Sequence, residues 1–194
     1  MKRLFDFICS LFGIIVLIPV FIIVAILVKR SSPGPVLFVQ SRVGRHGSIF
    51  KMIKFRSMKI SQNSNSTTSF LGDKRVTQIG VFLRRYKLDE LPELFNVLKG
   101  QMSLVGPRPD VAGYADKLTG KERNILEMRP GITGPASLKY IDEEKILSLK
   151  DNRERYNNKV IYPDKVRINL DYYYNNNIWI DIKIIFATIF RTSY

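Results

Sequence analysis

Residues 7 to 28 form a run of 22 positions without a charge. That is long enough to cross a bilayer as one helix. Three arrangements compete for it. A cleaved signal peptide needs a small-residue cleavage site behind the apolar core, and none precedes Lys29-Arg30. A spanning anchor fits the length, but Pro19 sits in the middle, where it removes a backbone hydrogen bond and kinks or breaks the helix. Lys2 and Arg3 flank one end and Lys29 and Arg30 the other. Positive charge at both ends favours keeping both on one side of the membrane. A helix–break–helix that enters and leaves by the same face satisfies this, provided the freed carbonyls are sheltered. From the residues alone, the spanning and re-entrant forms both stand.

Behind this segment there is room for one modest domain in a chain of 194 residues. Its 31 Lys+Arg against 17 Asp+Glu leave a net charge of +14, which points to a polyanionic partner: nucleic acid, an anionic membrane surface or a phosphorylated substrate. The single cysteine, Cys9, excludes an internal disulfide, and no Cys/His cluster offers a zinc site. The single histidine, His46, lies in a glycine-flanked turn, so acid–base work falls to carboxylates or lysines. Neither a GxxxxGK[ST] nor a GxGxxG loop is present, which argues against P-loop and dinucleotide-binding folds.

In chain order, 31–35 is a Pro/Gly linker. The runs 36–40 and 49–55, joined by the glycine turn at 44–47, predict a strand pair. Lys51, Lys54 and Arg56 are interleaved with apolar residues there, and Lys54 and Arg56 would share one strand face. Polar residues 61–75 predict a surface loop, and 79–86 a helix ending in Arg84-Arg85. Leu91, Leu94, Phe95 and Leu98 are spaced for one face of a helix that Pro92 opens. Asp89 and Glu90 fall just ahead of it, near its positive end, where a carboxylate caps and a phosphate binds. A charged helix is expected over 121–128. The segment 129–135 is too rich in Pro and Gly for helix or central strand and would let backbone amides approach a ligand. An amphipathic helix without evident chemistry is expected over 142–157. From 165 to 191, aromatic and apolar residues with basic ends suit a helix at a membrane surface.

These pieces together resemble the bacterial sugar transferase family of monotopic phosphoglycosyl transferases. The matching segments are Arg42-Val43-Gly44 with Phe50, Lys54-Phe55-Arg56-Ser57-Met58, the long run from Leu88 to Pro109, and Arg129-Pro130-Gly131-Ile132-Thr133-Gly134. They stand in family order, and the run from Leu88 to Pro109 is specific. The resemblance implies an α+β, mostly helical fold. It would have a re-entrant membrane helix-break-helix over 1–30 and a cytoplasmic catalytic domain over 31–194, with a small β-hairpin and amphipathic interfacial helices. It also implies transfer of a sugar-1-phosphate from a UDP-sugar to undecaprenyl phosphate at the cytoplasmic face of the bacterial inner membrane. UMP is released and surface-glycan synthesis begins. By the same match Asp89 is the nucleophile and Glu90 its partner at a Mg²⁺, and Lys54, Arg84, Arg108 and Arg129 hold phosphates.

Helical spacing alone would pair Asp89 with Glu93; the family match pairs Asp89 with Glu90 and leaves Glu93 structural. Two departures stand out. Relatives often break the membrane helix at Ser-Pro, where this chain has Ile18-Pro19. Relatives often continue after Gly-Ile-Thr-Gly with Trp-Ala-Gln-Val-Asn-Gly-Arg, where this chain runs from Pro135 to Ile141; Ile141 stands in place of the arginine, whose contact would be lost or taken over by Lys139. The chain looks like the minimal catalytic form of the family, and its amphipathic helices would allow a homodimer. A membrane-tethered nucleic-acid-binding protein is the alternative that would also explain the charge, but no basic–aromatic nucleic-acid signature accompanies it.

Overall fold

A computed structural model describes residues 1–59 and 75–192. The loop expected at 61–75 lies outside these residues, apart from Arg75.

The uncharged run becomes part of one helix, α1 (Lys2–Ser31), followed by an antiparallel pair, β1 (Leu37–Val43) and β2 (Ile49–Phe55). The expected break at Pro19 is not an interruption: the helix is continuous through it. Proline deletes one N–H, so the carbonyl four residues back, on Ile15, loses its partner while the neighbouring turns keep theirs. One face of α1 is bare, with Phe7, Leu11, Phe12, Ile15, Ile22, Ile23 and Ile26 all exposed. The other face packs on the globular body.

Both ends of α1 are tied to that body. At the start, Lys2 donates to Asp181 and Tyr172. Arg3 donates to the Val97 carbonyl (2.6 Å) and the Leu98 carbonyl (2.7 Å). Asp6, 2 % exposed, accepts from Ser103 Oγ (2.8 Å) and Leu104 N (3.1 Å). Towards the other end Val24 and Val28 are buried with Phe55 and Leu83, and Phe21 packs its ring on Phe55 and Phe95, each at 5.7 Å. A straight helix of this length extends about 45 Å. Spanning a bilayer would carry one set of these contacts away from the other.

The rest of the chain is mostly helical. Thr77 caps α2 (Gln78–Arg85) by accepting from Gly80 N. A 3₁₀ turn over Leu88–Glu90 leads to α3 (Glu93–Leu98), opened by Pro92 as its spacing predicts. Asn96, fully buried, fastens α3 to β2: its Oδ1 accepts from Ile53 N (3.1 Å) and its Nδ2 donates to the Lys51 carbonyl (2.7 Å).

The Pro/Gly segment at 129–135 differs from expectation. Gly131–Thr133 is a short strand, β4, parallel to β3 (Ser103–Val105). Its glycines bring backbone against backbone. A Cβ on Gly131 would stand 2.1 Å from Gly106 N, and one on Gly134 would stand 2.2 Å from the Gly106 carbonyl oxygen. Gly106 N donates to the Thr133 carbonyl and Gly131 N to the Pro107 carbonyl, which holds the Gly-Pro-Arg-Pro loop in place.

Several helix expectations are corrected in detail. Residues 120–127 wind as 3₁₀ rather than α. The helix expected over 142–157 is two pieces, α5 (Glu143–Ser148) and α6 (Arg153–Tyr156), because Asn152 caps a new start by accepting from Arg155 N. Between Gly134 and α5 lies α4 (Pro135–Lys139). A π-turn joins α6 to α7 (Tyr162–Asn175), and Asn177 caps α8 (Ile178–Phe190) with bonds from Trp179 N and Ile180 N. The stretch 165–191 is therefore two helices. Trp179, Phe186, Ile189 and Phe190 on α8, and Val81, Phe82 and Tyr86 at α2, lie exposed.

Candidate active site

Lys87 adopts a left-handed backbone (φ 57°), uncommon for a residue with a Cβ. It swings the chain out of α2 and into the 3₁₀ turn that carries Asp89 and Glu90. Both carboxylates are buried, and Glu93 on the first turn of α3 is more so, at 3 % exposed. Three acidic groups out of water within five residues demand cations.

Those cations come from three other elements. Lys54 on β2 places Nζ 2.9 Å from Glu90 Oε1 and 3.1 Å from Glu93 Oε1. Arg108, from the loop behind β3, donates to Glu90 Oε1 at 2.6 Å. Arg84, at the end of α2, donates to Ser57 Oγ at 3.2 Å and stands 3.7 Å from Glu144. Its charge, with those of Lys54 and Lys87, acts on Asp89. Arg42 on β1 completes the floor. Its guanidinium donates to the Pro109 carbonyl (3.2 Å) and to Gln40 Oε1 (2.7 Å), and so supports the loop that presents Arg108.

The carboxylates are not equivalent. Burial alone would raise Glu90, but Arg108 and Lys54 outweigh it and hold it far below the usual carboxylate range. Burial pushes Glu93 up to about 7, with the neighbouring charge of Glu90 adding to the shift. Asp89 is raised as well, first by burial and then by Glu90. Its Oδ1 is buried with no hydrogen-bond partner among the described residues. Beside several cations, an acidic oxygen left unpaired is free to bond to something brought in. Asp110, next to the arginine loop, is pushed up to about 6 by burial.

Of the residues singled out from the sequence, Asp89, Glu90, Lys54, Arg84 and Arg108 come together. Arg129 does not: its Nε donates to the Gly100 carbonyl at 2.8 Å, and its charged neighbours are Arg45, Arg3 and Asp6. Arg56 lies one residue beyond β2, so the shared strand face with Lys54 does not extend to it; it turns to the linker, donating to the carbonyls of Ser32 and Pro33, both at 2.7 Å. Lys139 is bound by Asp164 at 2.6 Å, which also accepts from Tyr140 and Arg167. Sequence reasoning placed Glu93 outside the cluster and gave no role to Arg42 or Glu144. The four-residue interval from Asp89 to Glu93 was the available signal for Glu93. Glu144 carried none, because it reaches Arg84 only through the tertiary fold.

The sequence model described as bacterial sugar transferase matches residues 1–193. The UDP-glucose:undecaprenyl-phosphate glucose-1-phosphate transferase of Escherichia coli K12 is 38% identical over 98% of this chain and 40% of its own length. The UDP-N-acetylgalactosamine-undecaprenyl-phosphate N-acetylgalactosaminephosphotransferase of Aeromonas hydrophila is 36% identical over 97% of this chain and 42% of its own length. The exopolysaccharide production protein PSS of Rhizobium leguminosarum bv. phaseoli is 38% identical over 97% of this chain and 93% of its own. The chain thus spans about two fifths of the first two relatives and nearly all of the third.

Proposed function

Because the chain belongs to the bacterial sugar transferase family, we propose that it moves a sugar-1-phosphate from a UDP-sugar to undecaprenyl phosphate and so initiates a surface glycan. The observation that carries this reading is Asp89. It is a buried carboxylate with an unpartnered oxygen, set beside Lys54 and Arg84 and next to the Glu90–Arg108 pair.

In the first half-reaction the Asp89 carboxylate attacks the phosphorus that bears the sugar. The bond from that phosphorus to the bridging oxygen breaks, UMP leaves, and the sugar phosphate is held as an acyl phosphate on Asp89. In the second, a phosphate oxygen of the polyprenol attacks the same phosphorus and the Asp89 carboxylate is released, giving polyprenyl-diphosphate-sugar. Two steps through one nucleophile suit a soluble donor and a lipid acceptor that occupy the site in turn. Lys54, Arg84 and Arg108 neutralise the diphosphate, the main task in phosphoryl transfer. Arg108 is suited to paired contacts with phosphate oxygens. Asp89 must be ionised to attack, so its raised pKa makes the rate fall as pH drops towards it.

Mg²⁺ characteristically takes one or two carboxylates and completes its shell with phosphates and water. Asp89 and Glu90 fit that donor set, since Asp89 Oδ1 is unpartnered and the short Glu90 contacts all fall on Oε1. Held there by the two carboxylates, Mg²⁺ would supply charge neutralisation at the diphosphate. Larger protein-only metal clusters are absent among the described residues.

The attachment of both ends of α1 to one body supports a form in which neither end crosses to the far side: the helix stays on the cytoplasmic face with the catalytic domain, where UDP-sugars are. The bare faces of α1, α2 and α8 suit lipid contact. An amphipathic helix also leaves room for a homodimer. A nucleic-acid-binding reading does not account for cations committed to buried carboxylates. The test is UMP release from a panel of UDP-sugars by the purified chain with Mg²⁺ and undecaprenyl phosphate. The reading predicts release with at least one sugar and none from Asp89→Asn. No release with any sugar, or equal release from the variant, refutes it.

A further inference from the structure

The helix after Asp142 has no chemistry in its sequence, yet the fold sets its carboxylates against the cations of the site. Glu144 Oε1 lies 3.7 Å from Arg84 Nη1, and both side chains are partly open to water (49% and 26% exposed). Its neighbour Glu143 accepts from Lys165 at 2.6 Å and acts electrostatically on Arg108 and on Asp110. No residue of α5 is buried, and Ile146 and Leu147 are half-buried.

We propose that α5 is an acidic strap: Glu144 pairs with Arg84 while the site is empty and yields that guanidinium to the phosphates of an incoming nucleoside diphosphate. This rests on the family function proposed above and adds to it a residue that sets how tightly the donor and its product are held. Arg84 can serve only one anion well. A partly exposed carboxylate pair is weak, whereas a diphosphate carries more charge and offers paired oxygens to a guanidinium, so the substrate wins the exchange. When UMP must leave before the lipid phosphate enters, Glu144 returns to Arg84 and displaces the product. Glu144 therefore loosens nucleotide binding and speeds exchange.

The experiment is direct binding of UDP, measured calorimetrically on the full chain in detergent with Mg²⁺. It compares wild type, Glu144→Gln, Glu144→Asp, and the equal charge change Glu154→Gln on α6. Glu144→Gln should bind UDP about three-fold more tightly, the size set by the weakness of an exposed pair. UMP should inhibit it more strongly by the same factor. Glu144→Asp and Glu154→Gln should match wild type. In an Arg84→Gln background the gain from Glu144→Gln should vanish. Hydrogen exchange at 143–148 should rise when UDP is added to wild type and already be high in Glu144→Gln. The proposal is overturned if Glu144→Gln binds no tighter than wild type, if Glu154→Gln tightens binding equally, or if the gain survives without Arg84. Failure of wild type to bind UDP would refute the nucleotide-sugar reading itself, and the strap with it.

Discussion

Glu93→Gln should stabilise the protein, and only above acid pH. The side chain is 3 % exposed and shares Lys54 with Glu90. Its carboxyl is raised from 4.5 to about 7 by burial, with Glu90 adding to it. The unfolded chain therefore gives up this proton near 4.5, while the folded chain keeps it to about 7. Between those values the folded state binds more protons, so the stability this group lends is full below pH 4.5 and lost as pH rises to 7. At about 1.36 kcal/mol per unit the loss approaches ~3 kcal/mol at pH 8. Glutamine has the shape of the protonated acid and does not titrate, and Glu90 keeps both Lys54 and Arg108. At pH 8 the variant should melt higher, by about 5–10 °C for a chain of this size, and at pH 5 the two proteins should nearly coincide. Thermal unfolding in detergent at the two pH values decides. A variant no more stable than wild type at pH 8, or a gain equal at both pH values, refutes the account of how charge is distributed in the site.

Arg108→Gln removes the partner that holds Glu90 ionised and a phosphate contact; kcat/KM for UMP release should fall at least about 100-fold, as measured by initial rates. Asn96→Ala leaves Ile53 N and the Lys51 carbonyl without their partner; thermal unfolding should show a loss of about 2–3 kcal/mol, from unsatisfied buried groups. Asp6→Ala frees Ser103 and Leu104 N from the start of α1 and should cost about 2–4 kcal/mol, with protease cutting near the N-terminus as a second readout.

Local pattern made much of this molecule legible. The uncharged run, the hairpin around Gly44–Gly47, the helix behind Pro92 and the Asp89-Glu90 pair follow from periodicity, turn chemistry and family motif. What was illegible depends on chain segments far apart meeting. Lys54 reaches two acids because Asn96 bolts α3 to β2, more than 40 positions away. The Gly/Pro segment after Arg129 becomes a strand because Gly106 and Gly131 allow two backbones to touch, and carries Arg129 away from the site. Asn152 and Asn177 each start a helix inside what reads as one amphipathic stretch; an asparagine cap looks like any polar residue until its amide partners are seen. Pro19 shows the converse: a residue that reads as a break can sit within a continuous helix.

The central claim is that Asp89 bonds to the sugar phosphate. The most direct measurement omits the lipid acceptor: incubate the protein with Mg²⁺ and the UDP-sugar it turns over, quench in acid, and obtain intact and peptide masses. The account predicts an added mass of one sugar phosphate, localised to the peptide containing Asp89, absent in Asp89→Asn and discharged by undecaprenyl phosphate. An unmodified protein that still turns over, or an adduct on any other residue, contradicts it.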